Sequence, residues 1–185
     1  MGYALAESLA DEGARVTLVS GPVSVTTSHP NITVISVLTA DEMYRACVKL
    51  FPAMHAAIMC AAVADYTPVT PSGKKIKRSD DILVLKLKPN KDIAASLGSM
   101  KKKGQVLAGF ALETDHGIVN ARKKLAKKNL DFIVLNSLTD AGAGFKHDTN
   151  KITILDRSNK PQHFPLLSKK DAASGIVNKL ISVLK

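Results

Sequence analysis

Chemistry-bearing residues punctuate this sequence at the points where apolar runs give out. Asp65 stands in Ala61-Ala62-Val63-Ala64-Asp65-Tyr66, just past the apolar run 57–62. A carboxylate there can accept hydrogen bonds from a ribose hydroxyl or from backbone N–H groups, although at a strand end it is more commonly a simple cap. Lys75-Ile76-Lys77 begins ten residues beyond Asp65, in a Pro-, Gly- and Lys-rich loop over 67–79. An ammonium on such a loop can neutralise a triphosphate or the charge developing on a transferred phosphoryl group. Without such a ligand it is a solvated basic loop. Lys124 and Lys128 are four apart on a helical stretch and so project from one face. Like charges at that spacing repel, and an anion between them would relieve the repulsion; a solvated lysine-rich helix is the commoner case. Each feature is weak alone, and their order along the chain carries more information than any one of them.

Other chemistries are poorly supplied. Cys47 and Cys60 form no C-x-x-C pair, and the histidines 29, 55, 116, 147 and 163 are scattered, with no H-E-x-x-H. A structural zinc site or a disulfide framework is therefore not expected. The 185 residues carry a formal net charge of +10, a field that attracts nucleotides, phosphorylated metabolites or nucleic acid. Aromatic residues make up only 4% and there is no Trp, which argues against stacking on single-stranded nucleic acid. No stretch approaches the roughly 20 apolar residues of a membrane span. The opening residues carry acids and no basic leader, so the expected location is the cytoplasm.

The elements that must position these residues alternate. Apolar spacing predicts a helix over 2–13, strands at 15–20 and 32–37, and a helix over 40–51 capped by Thr39 with Glu42 completing a capping box. Further strands are predicted at 57–62, 82–87, 106–110 and 132–135. Helices are predicted at 93–100 and 117–129, a terminal hairpin at 151–155 with 163–166, and a last helix after Ser168. This pattern predicts one α/β domain over 1–185, a Rossmann-like three-layer sandwich with a mostly parallel sheet, a C-terminal β-hairpin and a final helix. Ligands in such folds lie beyond the carboxyl ends of the strands. The chain opens on a helix of the kind that follows the first strand and glycine-rich turn of a dinucleotide-type fold. That strand, usually central, is expected to be absent from 1–185, which would leave its neighbours' backbone and apolar surface uncovered.

Taken in order, Val19-Ser20-Gly21-Pro22-Val23, Cys60-Ala61-Ala62-Val63-Ala64-Asp65-Tyr66, Lys75-Ile76-Lys77, the stretch from Leu107 to Thr114 and the stretch from Ala121 to Asp131 resemble the bacterial phosphopantothenoylcysteine synthetases. The likeness runs on through Ala143-Gly144-Phe145, Asp148 and Asn150 to the closing helix. In many bacteria that domain is fused behind a flavin-dependent decarboxylase. The resemblance implies a CTP-dependent ligase that joins 4′-phosphopantothenate to L-cysteine through an acyl-cytidylate, with Mg²⁺ bridging the phosphates. It implies a homodimer, for which the segment 82–87 is a plausible pairing edge. No FMN is expected in this chain. By position, Met59, Cys60 and Ala61 would present backbone groups to the nucleotide and Asp65 would also bind it. Lys75 would serve the activation and transfer steps. Lys91, Asp92, Ile93 and Ala94 would contact the nucleotide, as would Phe110, and Lys124 and Lys128 would hold its phosphates. Lys91 departs from the proline usual at that position, which alters loop stiffness. The family's N-terminal strand, its Gly-Pro-Thr turn and an Asn-bearing segment are not matched within these residues.

Two other readings compete. The run Ala4 to Val16 also looks like the start of a nicotinamide-dependent short-chain reductase, but Tyr66 is followed at +4 by Thr70 rather than by lysine. A nucleic-acid binder would suit the net charge and little else.

Overall fold

The computed structural model describes residues 1–78, 82–113, 117–137, 149–158 and 160–184. Its elements run α1 (Gly2–Asp11), β1 (Val16–Ser20), β2 (Ile32–Ser36), α2 (Ala40–Leu50), a 3₁₀ turn (Phe51–Ala53), β3 (Ala56–Met59), β4 (Tyr66–Pro68), β5 (Leu87–Pro89), α3 (Ile93–Met100), β6 (Val106–Glu113), α4 (Gly117–Lys127), β7 (Phe132–Ser137), β8 (Thr149–Asp156), β9 (Gln162–Ser168) and α5 (Lys169–Leu184).

The main sheet has the order β3-β6-β7-β8-β9. β3, β6 and β7 are parallel, β8 is antiparallel to β7, and β9 is antiparallel to β8. Only β8 therefore runs against the other four strands. Helices cover both faces. Leu5 of α1 and Ala172, Ala173, Ile176, Val177 and Leu180 of α5 pack on Val106, Ala108, Phe132, Val134, Ile152 and Ile154. On the other face α2, α3 and α4 bring Met43, Ile93, Leu97, Ala121 and Leu125 onto Leu107, Ala111, Ile133 and Leu155. Because both faces are dry, β6 reads as a continuous apolar run, as parallel strands do. The doubly wound α/β architecture expected from the sequence is the one observed.

Local signals explain the element ends. Thr39 accepts the Glu42 N–H at 3.1 Å while the Glu42 carboxylate accepts the Thr39 N–H at 3.2 Å, a complete capping box. Ser168 likewise accepts the Asp171 N–H at 3.1 Å and starts α5. Gly13 has φ +85°, and the turn after α1 closes with Ala14 N–H donating to Leu9 O at 3.0 Å.

Four expectations are corrected. The strand expected at 82–87 is confined to Leu87–Pro89, and residues 82–86 are not strand. Its partner, β4, lies at the start of what was expected to be loop; the two make a three-residue antiparallel ladder ending in Pro68 and Pro89. Proline removes ladder donors and keeps this ribbon short. The basic helix ends at Lys127, because Asn129 takes φ 51° in the turn that follows. The hairpin strand expected at 151–155 starts two residues earlier, at Thr149. Ala143-Gly144-Phe145 and Asp148, which also carry the family likeness, lie outside the described residues. Finally, β1 and β2 form a separate parallel pair that shares no hydrogen bonds with the main sheet.

Candidate functional site

β3 ends at Met59, which stands opposite Gly109 midway along β6. Cys60 and Phe110, the next residue on each chain, both pack at the edge of the α1–α5 core. The Cys60 thiol is pushed up to about 11 by burial, with the nearby Met1 amine opposing. It stays protonated at neutral pH and is no nucleophile, so what this position offers a ligand is backbone and a small apolar surface. Ala61 is exposed beside it.

Beyond β3 the chain is clamped by a residue that spacing did not single out. Asn90 donates from Nδ2 to the Ala64 carbonyl at 2.8 Å and from its backbone N–H to the Asp65 carbonyl at 2.8 Å. The Asp65 segment is thereby fixed against residues 91–94, leaving the Asp65 side chain exposed. Lys91, where proline was expected on family grounds, lays its ammonium over the Tyr44 ring, 4.5 Å from the centroid. Asp92 caps α3, accepting the Ala95 N–H at 3.0 Å, and pairs with Lys128 Nζ at 3.0 Å. Ile93 is buried beneath it and Ala94 half-buried.

A second pair stands at the end of β6. Glu113 accepts Lys124 Nζ at 2.6 Å and Asn120 Nδ2 at 3.1 Å. Burial tends to raise the Asp92 carboxyl, but the Ala95 N–H and the Lys128 ammonium outweigh it and hold the group below its ordinary value. The Lys124 ammonium does the same for Glu113, against a smaller desolvation effect and with help from Asn120. The mutual repulsion expected of Lys124 and Lys128 is thus already relieved, one carboxylate to each lysine. Both ammonium groups keep solvent access, so an incoming polyanion can exchange with those carboxylates.

The turn carrying Lys128 is locked to α3. A Cβ at Gly98 would lie 1.9 Å from the Lys128 carbonyl oxygen, so only glycine permits this approach. Asn129 Nδ2 donates to the Gly98 carbonyl at 2.8 Å. Lys101 donates from Nζ to the Asn129 carbonyl and to both oxygens of Asp131, each at 2.8 Å, and Asp131 in turn accepts the Leu107 N–H at 2.7 Å. Lys101 sits in a lysine run that reads as a solvated face, yet its side chain is 9% exposed. Gly98 and Lys101 went unnoticed in the sequence because only tertiary contact gives them a role.

Of the expected site residues, Met59 ends β3 and Cys60, Ala61 and Asp65 follow it, Phe110 lies within β6, Lys91 and Asp92 lead into α3 with Ile93 and Ala94 in its first turn, and Lys124 and Lys128 lie on α4 and just after it. Lys75 is not joined to them: it lies in an exposed segment with no hydrogen bond or ion pair among the described residues. No group of three or more His, Cys, Asp or Glu side chains suited to a metal occurs among the described residues. No helix there is long and apolar enough to cross a membrane.

Fold and site together define a doubly wound α/β domain with a carboxylate-paired lysine site beyond its strand ends. Residues 1–184 match the family described as the DNA/pantothenate metabolism flavoprotein C-terminal domain, and the chain belongs to that family. It is 43% identical over its whole length to 45% of the coenzyme A biosynthesis bifunctional protein CoaBC of Bacillus subtilis (strain 168). It is also 54% identical, over all of its length and 51% of the relative, to a cysteine/cysteine sulfinic acid decarboxylase of an unknown prokaryotic organism. The chain thus spans about half the length of these curated relatives. A solved C-terminal domain of CoaBC superposes with TM-score 0.81 at 34% identity, covering 99% of this chain and 81% of that one.

Proposed function

We propose that this domain is the ligase half of a coenzyme A biosynthetic protein. It would join 4′-phosphopantothenate to L-cysteine at the expense of CTP, in the cytoplasm and alongside a flavin-dependent decarboxylase segment. The observation that carries this reading is the clamped row at the carboxyl edge, in which Asn90 holds Asp65 against Asp92 and Asp92 meets Lys128. It sits in a chain whose family and Bacillus relative are named for pantothenate metabolism and coenzyme A biosynthesis.

In this account the pantothenate carboxylate attacks the α-phosphate of CTP and expels pyrophosphate, leaving an acyl-cytidylate. The cysteine amine then attacks the acyl carbon and expels CMP, forming the amide. Lys124 and Lys128 exchange their carboxylate partners for phosphate oxygens. Asp65 meets the nucleoside, Met59, Cys60 and Ala61 offer it backbone groups, and Phe110 gives it an apolar wall. Lys75 closes over the reacting phosphate, where its charge stabilises the pentavalent transition state. The lack of a clustered acid cage among the described residues suits a Mg²⁺ held chiefly by phosphates and water.

The same reading includes a homodimer. Ile82, Leu83, Val84 and Leu85 are 92, 62, 76 and 59% exposed, an apolar run that soluble chains normally cover.

Calorimetric titration tests the nucleotide assignment. CTP with Mg²⁺ should bind, and Lys128→Ala should weaken it about tenfold or more, the loss of one charge-assisted contact. Binding of NADPH in place of CTP would instead support a reductase.

A further inference from the structure

Among the described residues one non-glycine carries a positive φ, Asn129 at 51°. It follows α4 in a turn usually given to glycine. Its N–H donates to Ala126 O at 3.2 Å, and the Leu130 N–H donates to Leu125 O at 3.0 Å, the two bonds of a Schellman motif. Leu125 and Leu130, the apolar pair of that motif, are both buried in the α2–α3–α4 core. Glycine would make this turn without placing a side chain on left-handed backbone. Asparagine adds an amide, and both ends of it are used. Nδ2 donates to Gly98 O of α3 at 2.8 Å, and Oδ1 accepts from Arg157 Nη2 at 2.6 Å. Arg157, just after β8, also donates from Nε to Leu130 O at 3.0 Å. The amide thus ties the second half of α3 to the β8–β9 hairpin.

These bonds fall on the residue next to Lys128. The Lys128 carbonyl lies close against Gly98, while its ammonium meets Asp92 at 3.0 Å, at the start of α3. About 9 Å of helix axis separates Gly98 from Asp92. The Lys128 side chain therefore runs along α3, and where its ammonium arrives depends on where its backbone is held. A lysine stem is flexible and does not fix its own charge.

We infer that Asn129, braced by Arg157, is a positioning residue for Lys128. It holds the lysine backbone against α3, so that the ammonium is delivered to the first turn of that helix. That the ammonium there receives nucleotide phosphate rests on the ligase reading; the brace itself does not.

Asn129→Gly tests this, because glycine keeps φ 51° without strain and removes both amide bonds. Asp92 reports the outcome with no ligand present. Burial raises its carboxyl, while the Ala95 N–H and the Lys128 ammonium lower it. Carboxyl-carbon NMR titration should therefore show Asp92 moving up in Asn129→Gly, as in Lys128→Ala, with Arg157→Ala moving it the same way. Magnesium–CTP and tripolyphosphate, titrated by calorimetry, should each bind about fivefold more weakly to Asn129→Gly. In a Lys128→Ala background the same change should have no further effect, since a residue acting through Lys128 then has nothing to position. An equal loss in both backgrounds marks a merely structural role and would overturn the inference. So would an Asp92 titration indifferent to Asn129→Gly or to Arg157→Ala. If CTP does not bind the unsubstituted chain while Asp92 shifts as stated, the ligase reading falls and the brace stands.

Discussion

Asp92 does two things at once: it caps α3 through the Ala95 N–H and it occupies the Lys128 ammonium. Asp65 and the paired lysines were legible in the sequence, because a carboxylate at a strand end and cations four apart on a helix are local patterns. Asn90 and Lys101 were not, because their partners lie 26 and 30 residues away. Asn90→Ala should free the Asp65 segment. The expected outcome is a several-fold loss of CTP affinity with little change in Tm, measured by calorimetry beside thermal melting, since the bond is exposed and contributes about 1 kcal/mol. Lys101→Ala leaves the half-buried Asp131 short of its main counter-charge and should cost about 3 kcal/mol in urea unfolding. Asp156 gives a pH signature. Its carboxyl is lowered from 3.8 to about 2, chiefly by the Lys179 ammonium. A depressed carboxyl stabilises the fold above its unfolded value and loses that contribution as pH falls from about 4 to 2. Unfolding free energy should therefore drop by on the order of 1–2 kcal/mol across that window, and Asp156→Asn should remove the dependence.

At the scale of elements, caps were the most legible features, since Thr39 with Glu42 and Ser168 with Asp171 act within one turn of chain. The β4–β5 ribbon was misjudged for the opposite reason. Residues 82–85 have β-forming side chains, but among the described residues they are left exposed, and propensity without burial makes no strand. The short α3 and the turn after α4 act as one unit through Gly98. Gly98→Ala must push the Lys128 carbonyl away from α3. The expected result is a loss of roughly 2 kcal/mol or more, read in urea unfolding. Nucleotide binding should weaken beyond what the stability loss explains, because Lys128 moves with that carbonyl.

For the whole molecule, alternation of strands and helices was enough to foresee a doubly wound α/β sandwich, and the main sheet bears that out. β1 and β2 stand apart from it as a two-stranded parallel pair. The exposed run 82–85 belongs to this scale as well. If it is the dimer contact, Leu83→Asp with Leu85→Asp should shift the mass in light scattering from dimer to monomer while leaving Tm nearly unchanged. The central claim is ligation driven by CTP. Pyrophosphate release should be measured with CTP and Mg²⁺, with and without phosphopantothenate and cysteine, in this chain joined to the segment that precedes the matched region in the Bacillus subtilis relative. Release should require phosphopantothenate, should match amide formed when cysteine is present, and should fall at least about a hundredfold in Lys75→Ala. Amide formation without CTP, or pyrophosphate release indifferent to phosphopantothenate, would contradict it.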